Sequence, residues 1–356
     1  LFLLEFGLAN YLKEHGVAPS FLIGHSIGEF AAAALAGIFS FEDAVALVAT
    51  RGALMQSMPA GKMLIVRSNP DDIEELVGQR AEVAAVNAPG LMVLSGEQEA
   101  IKAISAELSE RKIASTILQT SHAFHSSMMD PIVPEFEAFV STIQRQAPSI
   151  PIYSTMTGAL LTDEEAMSPR YWSQQLRNPV LFSSSLQALS LRHENDGERI
   201  SLLEVGPGNT LVNLANSHRE LEGIHAYPAL TNKGTDENAE NDIYRSIGQL
   251  WVDGYALDWN RYFEGLWVCK ERLPGYAFSD DSFWLGPVNN DPANMTNSVA
   301  PSTAAASQLS HLANPATPVT QDVKMDSKQH SEKIRADVMA IIEDVSGYEL
   351  GDADPA

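Results

Sequence analysis

The sequence predicts an α/β protein in which short buried strands turn directly into helices. Two segments support this: Phe21–Gly37 (FLIGHSIGEFAAAALAG) and residues 200–215 (ISLLEVGPGNTLVNLA) each contain an apolar run, a glycine-containing turn and a helical stretch. Between them, residues 62–120 alternate strand and helix signals in the order β-α-β-β-α-β. That order is typical of a ferredoxin-like subdomain, here inserted into a larger domain.

Composition and charge restrict the function classes. The chain has 356 residues, a net charge of −23 and one cysteine, Cys269. Nucleic acids and anionic membranes are bound through clustered Lys and Arg, so this acidity argues against both as partners. No apolar run reaches the 18 residues that a membrane span needs, and a single cysteine cannot form an intramolecular disulfide. We therefore expect a cytoplasmic protein.

Composition also divides the chain. Residues 1–225 are predicted to form the main domain, and residues 226–286 an aromatic-containing strapping segment along it. Residues 287–331 have too little apolar surface to offset the entropy of ordering and are predicted to be a disordered linker. Residues 332–356 contain an amphipathic helix that begins a further helical domain. Because the chain starts without methionine and within a helix, we expect it to be part of a longer polypeptide.

Gly24-His25-Ser26-Ile27-Gly28 has the G-x-S-x-G pattern of a nucleophile elbow and predicts a hydrolase-like core. Five letters can match by chance, but a strand before and a helix after them favour the functional interpretation. We expect that a Cβ at either flanking glycine would collide with the backbone, and that strain at Ser26 exposes its Oγ. The Ile27 N–H and the helix dipole would then stabilise an oxyanion.

A nucleophilic serine needs a base, and two histidines in SHAFHS, His122 and His125, are the candidates. They could instead hold a metal, but no third ligand is evident, so no metal is expected. His25 adjoins the nucleophile in sequence, points elsewhere and has a packing or supporting role. No carboxylate partner for the base can be chosen. The remaining histidines are expected at the surface: His15, His193, His218, His225, His311 and His330.

Five motifs together resemble one family. GHSIGEF, ATRGALMQ, SHAFHSSMMDPI, EVGPGNTL and LPGYAFSDDSFW occur in the order found in the acyltransferase domain of modular polyketide synthases, which is similar to malonyl-CoA:acyl carrier protein transacylases. The resemblance covers residues 1 to about 286. It implies transfer of a malonyl unit from malonyl-CoA to the phosphopantetheine thiol of an acyl carrier protein, through an acyl-serine intermediate.

The resemblance also assigns residues. Ser26 would be the nucleophile and His125 the base, oriented by a backbone carbonyl rather than a carboxylate. Arg51, 25 residues after Ser26, would pair with the free carboxylate of malonyl, a bidentate contact that lysine cannot reproduce. Phe124 and Ile27 resemble the malonyl-selective class, because the bulky phenylalanine fills the space that an α-methyl group needs.

The same resemblance implies partners. Residues 332–356 are similar to the start of an acyl carrier protein, so the chain itself is expected to carry no cofactor, and phosphopantetheine is expected beyond Ala356. A ketosynthase is expected upstream in the parent chain. The family's glycine- and glutamine-rich loop of the type GQGSQ, a second oxyanion donor, is not found in this sequence. Losing one such donor costs about 10²–10³ in rate, so slow transfer and poor folding are expected.

Two other functions use the same residues. A serine hydrolase or thioesterase-like enzyme would share the elbow. Its neutral acyl chains, however, carry no charge that an arginine such as Arg51 near the serine could bind. A non-catalytic acyltransferase scaffold would keep the elbow and the histidine as relics.

Overall fold

The computed structural model describes residues 1–196, 199–231 and 236–263. The predicted linker (287–331), the predicted helical segment (332–356) and the second part of the strapping segment lie outside these residues. The described residues form the following helices: α1 (Phe2–Glu14), α2 (Gly28–Leu35), α3 (Phe41–Gln56), α4 (Pro70–Val77), α5 (Gln98–Glu110), α6 (Val133–Thr142), α7 (Asp163–Met167), α8 (Pro169–Gln175), α9 (Phe182–Asp196), α10 (Thr210–Ala215), α11 (Asp236–Val252) and α12 (Trp259–Tyr262), with 3-10 turns at Ser127–Ile132 and Arg219–Leu221.

The strands found in these described ranges fall into three small sheets. They are β1 (Leu22–Ile23), β2 (Lys62–Val66), β3 (Glu82–Ala88), β4 (Leu91–Gly96), β5 (Ser115–Ile117), β6 (Ile152–Tyr153), β7 (Ser201–Glu204) and β8 (His225–Pro228). β1 pairs in parallel with β6, and β7 pairs in parallel with β8. β1 leads into α2 and β7 leads into α10, so the predicted α/β architecture is confirmed.

The inserted subdomain is a four-stranded antiparallel sheet in the order β3–β4–β2–β5. With α4 and α5 as its helices, this is the strand order of a ferredoxin-like fold, as the β-α-β-β-α-β pattern predicted. One face of the sheet packs with both helices around its own core, which includes Leu64, Leu94, Ile101 and Ile104. The subdomain can therefore carry its side chains as a rigid element.

A separate core supports the elbow. Phe30 of α2 is fully buried and packs against Phe136 of α6 and Trp172 of α8, which is also fully buried. Farther along the chain, Ile243 and Ile247 of α11 pack with Leu12 of α1. The extent of the strapping segment, 226–286, remains a prediction. Within the described ranges, none of the helices has both the length and the apolar character that crossing a bilayer requires.

The elbow itself is the turn between β1 and α2. Ser26 lies in the left-handed region, with φ +52°, which a residue other than glycine rarely adopts. A Cβ built on Gly24 would lie 2.2 Å from the Glu29 nitrogen, so the predicted collision holds there. At Gly28 the prediction is wrong: the nearest atom to such a Cβ is a Glu5 carboxylate oxygen at 3.9 Å. Gly28 lines an open cavity, and no other described backbone segment approaches it closely.

These two glycines give a matched pair of variants. Gly24→Ala should cost about 3 kcal/mol of unfolding free energy, because the new Cβ overlaps backbone atoms that cannot move without opening α2. Gly28→Ala should change stability by no more than about 1 kcal/mol, since the methyl group enters open space at a helix start. Urea unfolding of both variants measures the difference, and equal destabilisation would contradict the elbow geometry.

Candidate active site

The elbow opens into a cavity of about 1080 Å³. All five residues that the sequence singled out line it: Ser26, Ile27, Arg51, Phe124 and His125. They come from three separate parts of the chain, the β1–α2 turn, helix α3 and the loop after β5. The structure therefore brings the predicted site residues to one place.

Ser26 and His125 form a hydrogen-bonded pair. The Ser26 Oγ lies 2.7 Å from the His125 Nε2, and the His125 Nδ1 lies 2.8 Å from the backbone carbonyl oxygen of Asn178. A carbonyl oxygen can only accept, so Nδ1 carries the hydrogen and Nε2 of the neutral ring presents a lone pair to the serine. A backbone carbonyl thus does for this ring what a carboxylate does in a catalytic triad.

His125 is neutral over a wide pH range. Burial, and to a lesser extent the charge of Arg51, lower its pKa to about 3, although the bond to the Asn178 carbonyl opposes both. The ring is consequently ready to take a proton at neutral pH, and an anion bound beside Arg51 would remove one cause of the depression.

Arg51 is a buried cation facing the nucleophile. Its side chain projects from α3, its Nη2 donates to the Ser26 Oγ at 3.4 Å, and its Cζ lies 5.8 Å from the centre of the Phe30 ring. Burial lowers its pKa to about 10, so it remains charged at pH 7. Its Nε has no hydrogen-bond partner, and no Asp or Glu in the described ranges forms an ion pair with it. A buried charge in this state favours an anionic ligand.

The Ile27 N–H is the candidate oxyanion donor. It belongs to the N-cap residue of helix α2, where the dipole favours negative charge, and in the part of the chain that the structure describes it has no hydrogen-bond partner. The Gly28 N–H is already bonded to the His25 carbonyl. Ile27 therefore supplies the free amide nearest to the serine.

The other histidines serve different purposes. His25 Nε2 bonds to the Asn87 side-chain oxygen at 2.9 Å, away from Ser26, and His122 Nδ1 bonds to Ser121 Oγ at 2.7 Å. No three His, Cys, Asp or Glu side chains among the described residues converge as metal ligands. The surface placement expected for His218 is wrong, because its ring is buried between the Ser183 hydroxyl and the Leu214 carbonyl.

Besides Asn178, the structure adds four residues that sequence reasoning missed. Gln175 Nε2 donates to the Ser26 carbonyl at 2.7 Å, and Thr155 Oγ1 donates to the Gly24 carbonyl at 2.9 Å. Both also contact the carboxylate of Glu29, which is fully buried and accepts from the Tyr171 hydroxyl as well. The strained turn is thus held on both sides of the nucleophile.

Their signal in the sequence is weak. Glu29 directly follows the elbow glycine, and Gln175 and Asn178 lie in the polar run SQQLRN between apolar residues. Nothing local indicates that this run returns to a turn 149 residues earlier. Burial raises the pKa of Glu29, and the hydrogen bonds from Tyr171, Thr155 and Gln175 oppose that rise.

A serine on a strained strand-to-helix turn, bonded to a neutral histidine, defines an α/β enzyme of the class that forms acyl-serine intermediates. Residues 1–227 match the acyl transferase domain family, and the chain belongs to that family. It is therefore an acyltransferase domain, as its motifs predicted.

Known proteins show the same relationship. The chain is 37% identical over 287 residues to the mycoketide-CoA synthase of Mycobacterium tuberculosis, covering 80% of this chain and 7% of that protein. The acyltransferase domain from the second module of the salinomycin polyketide synthase superposes with a TM-score of 0.67 at 32% identity, covering 75% and 63% of the two chains. The SpnD acyltransferase domain, solved in complex with 2-(pent-4-yn-1-yl)malonyl, gives 0.66 at 32% identity, covering 71% and 61%.

The depressed pKa of His125 makes a prediction about stability. In the unfolded chain this histidine binds a proton below its ordinary pKa of about 6.5, whereas the folded state excludes it until about pH 3. Stability is therefore fully present above pH 6.5 and falls as the pH drops towards 3, by about 2 kcal/mol at pH 5.

His125→Gln should lose this contribution. Urea unfolding at pH 7.5 and pH 5 should give a pH dependence that is about 2 kcal/mol smaller for the variant than for the unaltered protein. An unchanged pH dependence would mean that His125 is protonated, or exposed, in the folded state.

Proposed function

We propose that this domain loads a malonyl extender unit: it transfers malonyl from malonyl-CoA to the phosphopantetheine thiol of an acyl carrier protein. The observation that supports this most strongly is the guanidinium of Arg51, which is buried beside the Ser26 hydroxyl and has no carboxylate partner among the described residues. An acyl group that ends in a carboxylate satisfies this cation while its thioester carbon lies at the serine. A simple acyl chain would leave the charge unpaired.

The first half-reaction follows from the hydrogen bonds. Ser26 Oγ attacks the thioester carbonyl while His125 Nε2 takes the hydroxyl proton, and the Ile27 N–H donates to the oxyanion. The carbon–sulfur bond then breaks, and His125 returns the proton to the leaving thiolate of coenzyme A. An acyl-serine and free coenzyme A result, and His125 is neutral again.

The second half-reaction reverses these steps with another thiol. The carrier's phosphopantetheine thiol gives its proton to His125 Nε2 and attacks the acyl-serine carbonyl. The serine oxygen leaves and regains the proton, so Ser26 is restored and the malonyl group is on the carrier. Throughout, the bond from Nδ1 to the Asn178 carbonyl keeps the ring in the tautomer that this exchange needs.

Substrate choice is proposed to rest on Arg51, Phe124 and Ile27. The SpnD domain binds a malonyl group substituted at its second carbon, which supports a malonyl-type ligand here. Phe124 lies directly before the base and is half-buried. It packs against the core around Phe30 and against a second cluster that includes Phe182, so its ring limits the space beside the acyl group. One methyl group changes the binding free energy in such a pocket by only about 1–3 kcal/mol. Malonyl is therefore preferred over methylmalonyl, but methylmalonyl is not excluded.

The wider setting is also proposed. Several of the related proteins are polyketide synthases, and this chain spans less than a fifth of the length of the synthases it matches. We place the domain in a cytoplasmic polyketide synthase. That synthase would also contain the acyl carrier protein, which bears the phosphopantetheine, and a ketosynthase upstream of this domain. We also propose that residues 332–356 are the start of that acyl carrier protein. The domain boundaries after residues 225, 286 and 331, and the subdomain limits 62–120, belong to the same proposal.

Acylation of Ser26 is the direct test. Incubation of the full-length protein with malonyl-CoA should add one malonyl group to the peptide that contains Ser26, as measured by mass spectrometry. Ser26→Ala should abolish the adduct. A protein that binds malonyl-CoA but never carries the adduct would support the scaffold alternative.

Arg51 decides between a malonyl transferase and a hydrolase. Arg51→Ala should lower kcat/KM for malonyl loading by about 100-fold or more, because the substrate carboxylate then enters the cavity unpaired. Arg51→Lys should recover only part of this loss, since an ammonium cannot make the bidentate contact. Acetyl-CoA is the matched control: its loading should not fall. Unchanged malonyl loading would favour the hydrolase alternative.

A further inference from the structure

We propose that Arg177, held between Glu82 and Asp130, is a positioning residue that fixes the orientation of His125. The inference rests on the proposed function, which makes His125 the base. Arg177 does not touch the reacting atoms, and its effect would pass through the backbone segments on either side of the histidine.

The contacts of Arg177 join three parts of the fold. Its Nη1 lies 3.1 Å from the Glu82 Oε2 at the start of β3, and its Nε donates to the Asp130 Oδ1 at 2.8 Å in the 3-10 turn after His125. Arg177 itself follows helix α8. Its side chain is 24% exposed, which leaves these ion pairs partly protected from solvent.

Two links connect the ion pairs of Arg177 to His125. The second oxygen of Glu82, Oε1, accepts from the backbone N–H of Ser127 at 2.9 Å, two residues after His125. On the other side, the residue that follows Arg177 is Asn178, whose carbonyl accepts from the His125 Nδ1. Arg177 therefore links the backbone that carries the imidazole to the carbonyl that orients it.

Backbone hydrogen bonds also join strand β3 to the segment after α8. Val180, two residues after Asn178, donates to the Ala84 carbonyl and accepts from the Val86 N–H, each at 2.9 Å. Strand β3 is thus bonded to the segment after α8 by its backbone and, through Glu82, by a charge pair. The subdomain strand supports the loop that holds His125 as well as the residue that orients it.

His125 needs such support. Its φ of +56° is in the left-handed region, and a histidine remains there only where the surroundings determine it. Partial burial raises the pKa of Glu82, but the Ser127 amide and the Arg177 charge outweigh it and hold the pKa below its usual value. Glu82 is consequently ionised at neutral pH and able to bind both partners.

The test is Arg177→Met, which removes the charge and keeps most of the side-chain length. In the full-length protein, labelling of Ser26 by a fluorophosphonate probe should slow by about 10- to 100-fold, because a misplacement of about 1 Å can cost 100-fold. The kcat for malonyl loading should fall by a similar factor, with KM for malonyl-CoA unchanged. Arg177→Lys should recover part of the rate, as one cation can still bind one carboxylate.

The matched control is Arg80→Met. Arg80 pairs with Glu107 at 2.6 Å inside the subdomain, and among the described residues it forms no hydrogen bond or ion pair with a site residue. Its labelling rate should equal that of the unaltered protein. Glu82→Gln gives a second route: it keeps an acceptor for the Ser127 N–H, so it should slow labelling less than Arg177→Met.

Two outcomes overturn the positioning role: labelling of Arg177→Met at the unaltered rate, or an equal slowing of Arg177→Met and Arg80→Met with equal losses in melting temperature. The proposed function fails separately. If the unaltered protein reacts with the fluorophosphonate but never accepts malonyl, the substrate is wrong, while the labelling comparison still decides the role of Arg177.

Discussion

The hydrogen bond between Ser26 Oγ and His125 Nε2 places the strictest geometric demand on this fold. Both residues adopt left-handed backbone conformations, with φ of +52° and +56°, and face each other at 2.7 Å. Neither conformation is stable by itself, so the fold has to hold them. Gln175 donates to the backbone carbonyl of Ser26, and the Asn178 carbonyl accepts from the ring of His125. The end of α8 and the segment after it therefore set the distance between the Ser26 Oγ and the His125 Nε2.

The electrostatics of the site follow from burial. Arg51 is charged and His125 is neutral in the same cavity, and the cation helps to keep the imidazole unprotonated. An incoming carboxylate would neutralise Arg51 and thereby raise the basicity of His125 at the moment when a proton has to be accepted. In the proposed reaction, binding of the substrate carboxylate and the basicity of His125 would therefore be coupled through one buried charge. A site for neutral acyl groups would have no use for this coupling.

The sequence predicted the fold and the candidate site residues because each has a local pattern. Strand–turn–helix signals marked the elbow, the β-α-β-β-α-β order marked the subdomain, and the motifs marked Ser26 and His125. The sequence could not reveal that Asn178 orients the base, since a backbone carbonyl has no side-chain signature. The buried Glu29 was equally hidden, because its partners lie far away in the chain. The predicted surface position of His218 is wrong because the polar residues next to it in the sequence do not indicate whether its ring is buried.

The proposed function requires that a malonyl carboxylate on Ser26 reaches the Arg51 guanidinium. A crystal structure of the full-length protein, soaked with malonyl-CoA in the absence of any carrier thiol so that malonyl remains on Ser26, tests this requirement most directly. We expect both carboxylate oxygens within hydrogen-bond distance of Arg51, with the ester carbonyl oxygen at the Ile27 N–H. A carboxylate turned to solvent, with Arg51 still unpaired, would contradict carboxylate recognition by this site.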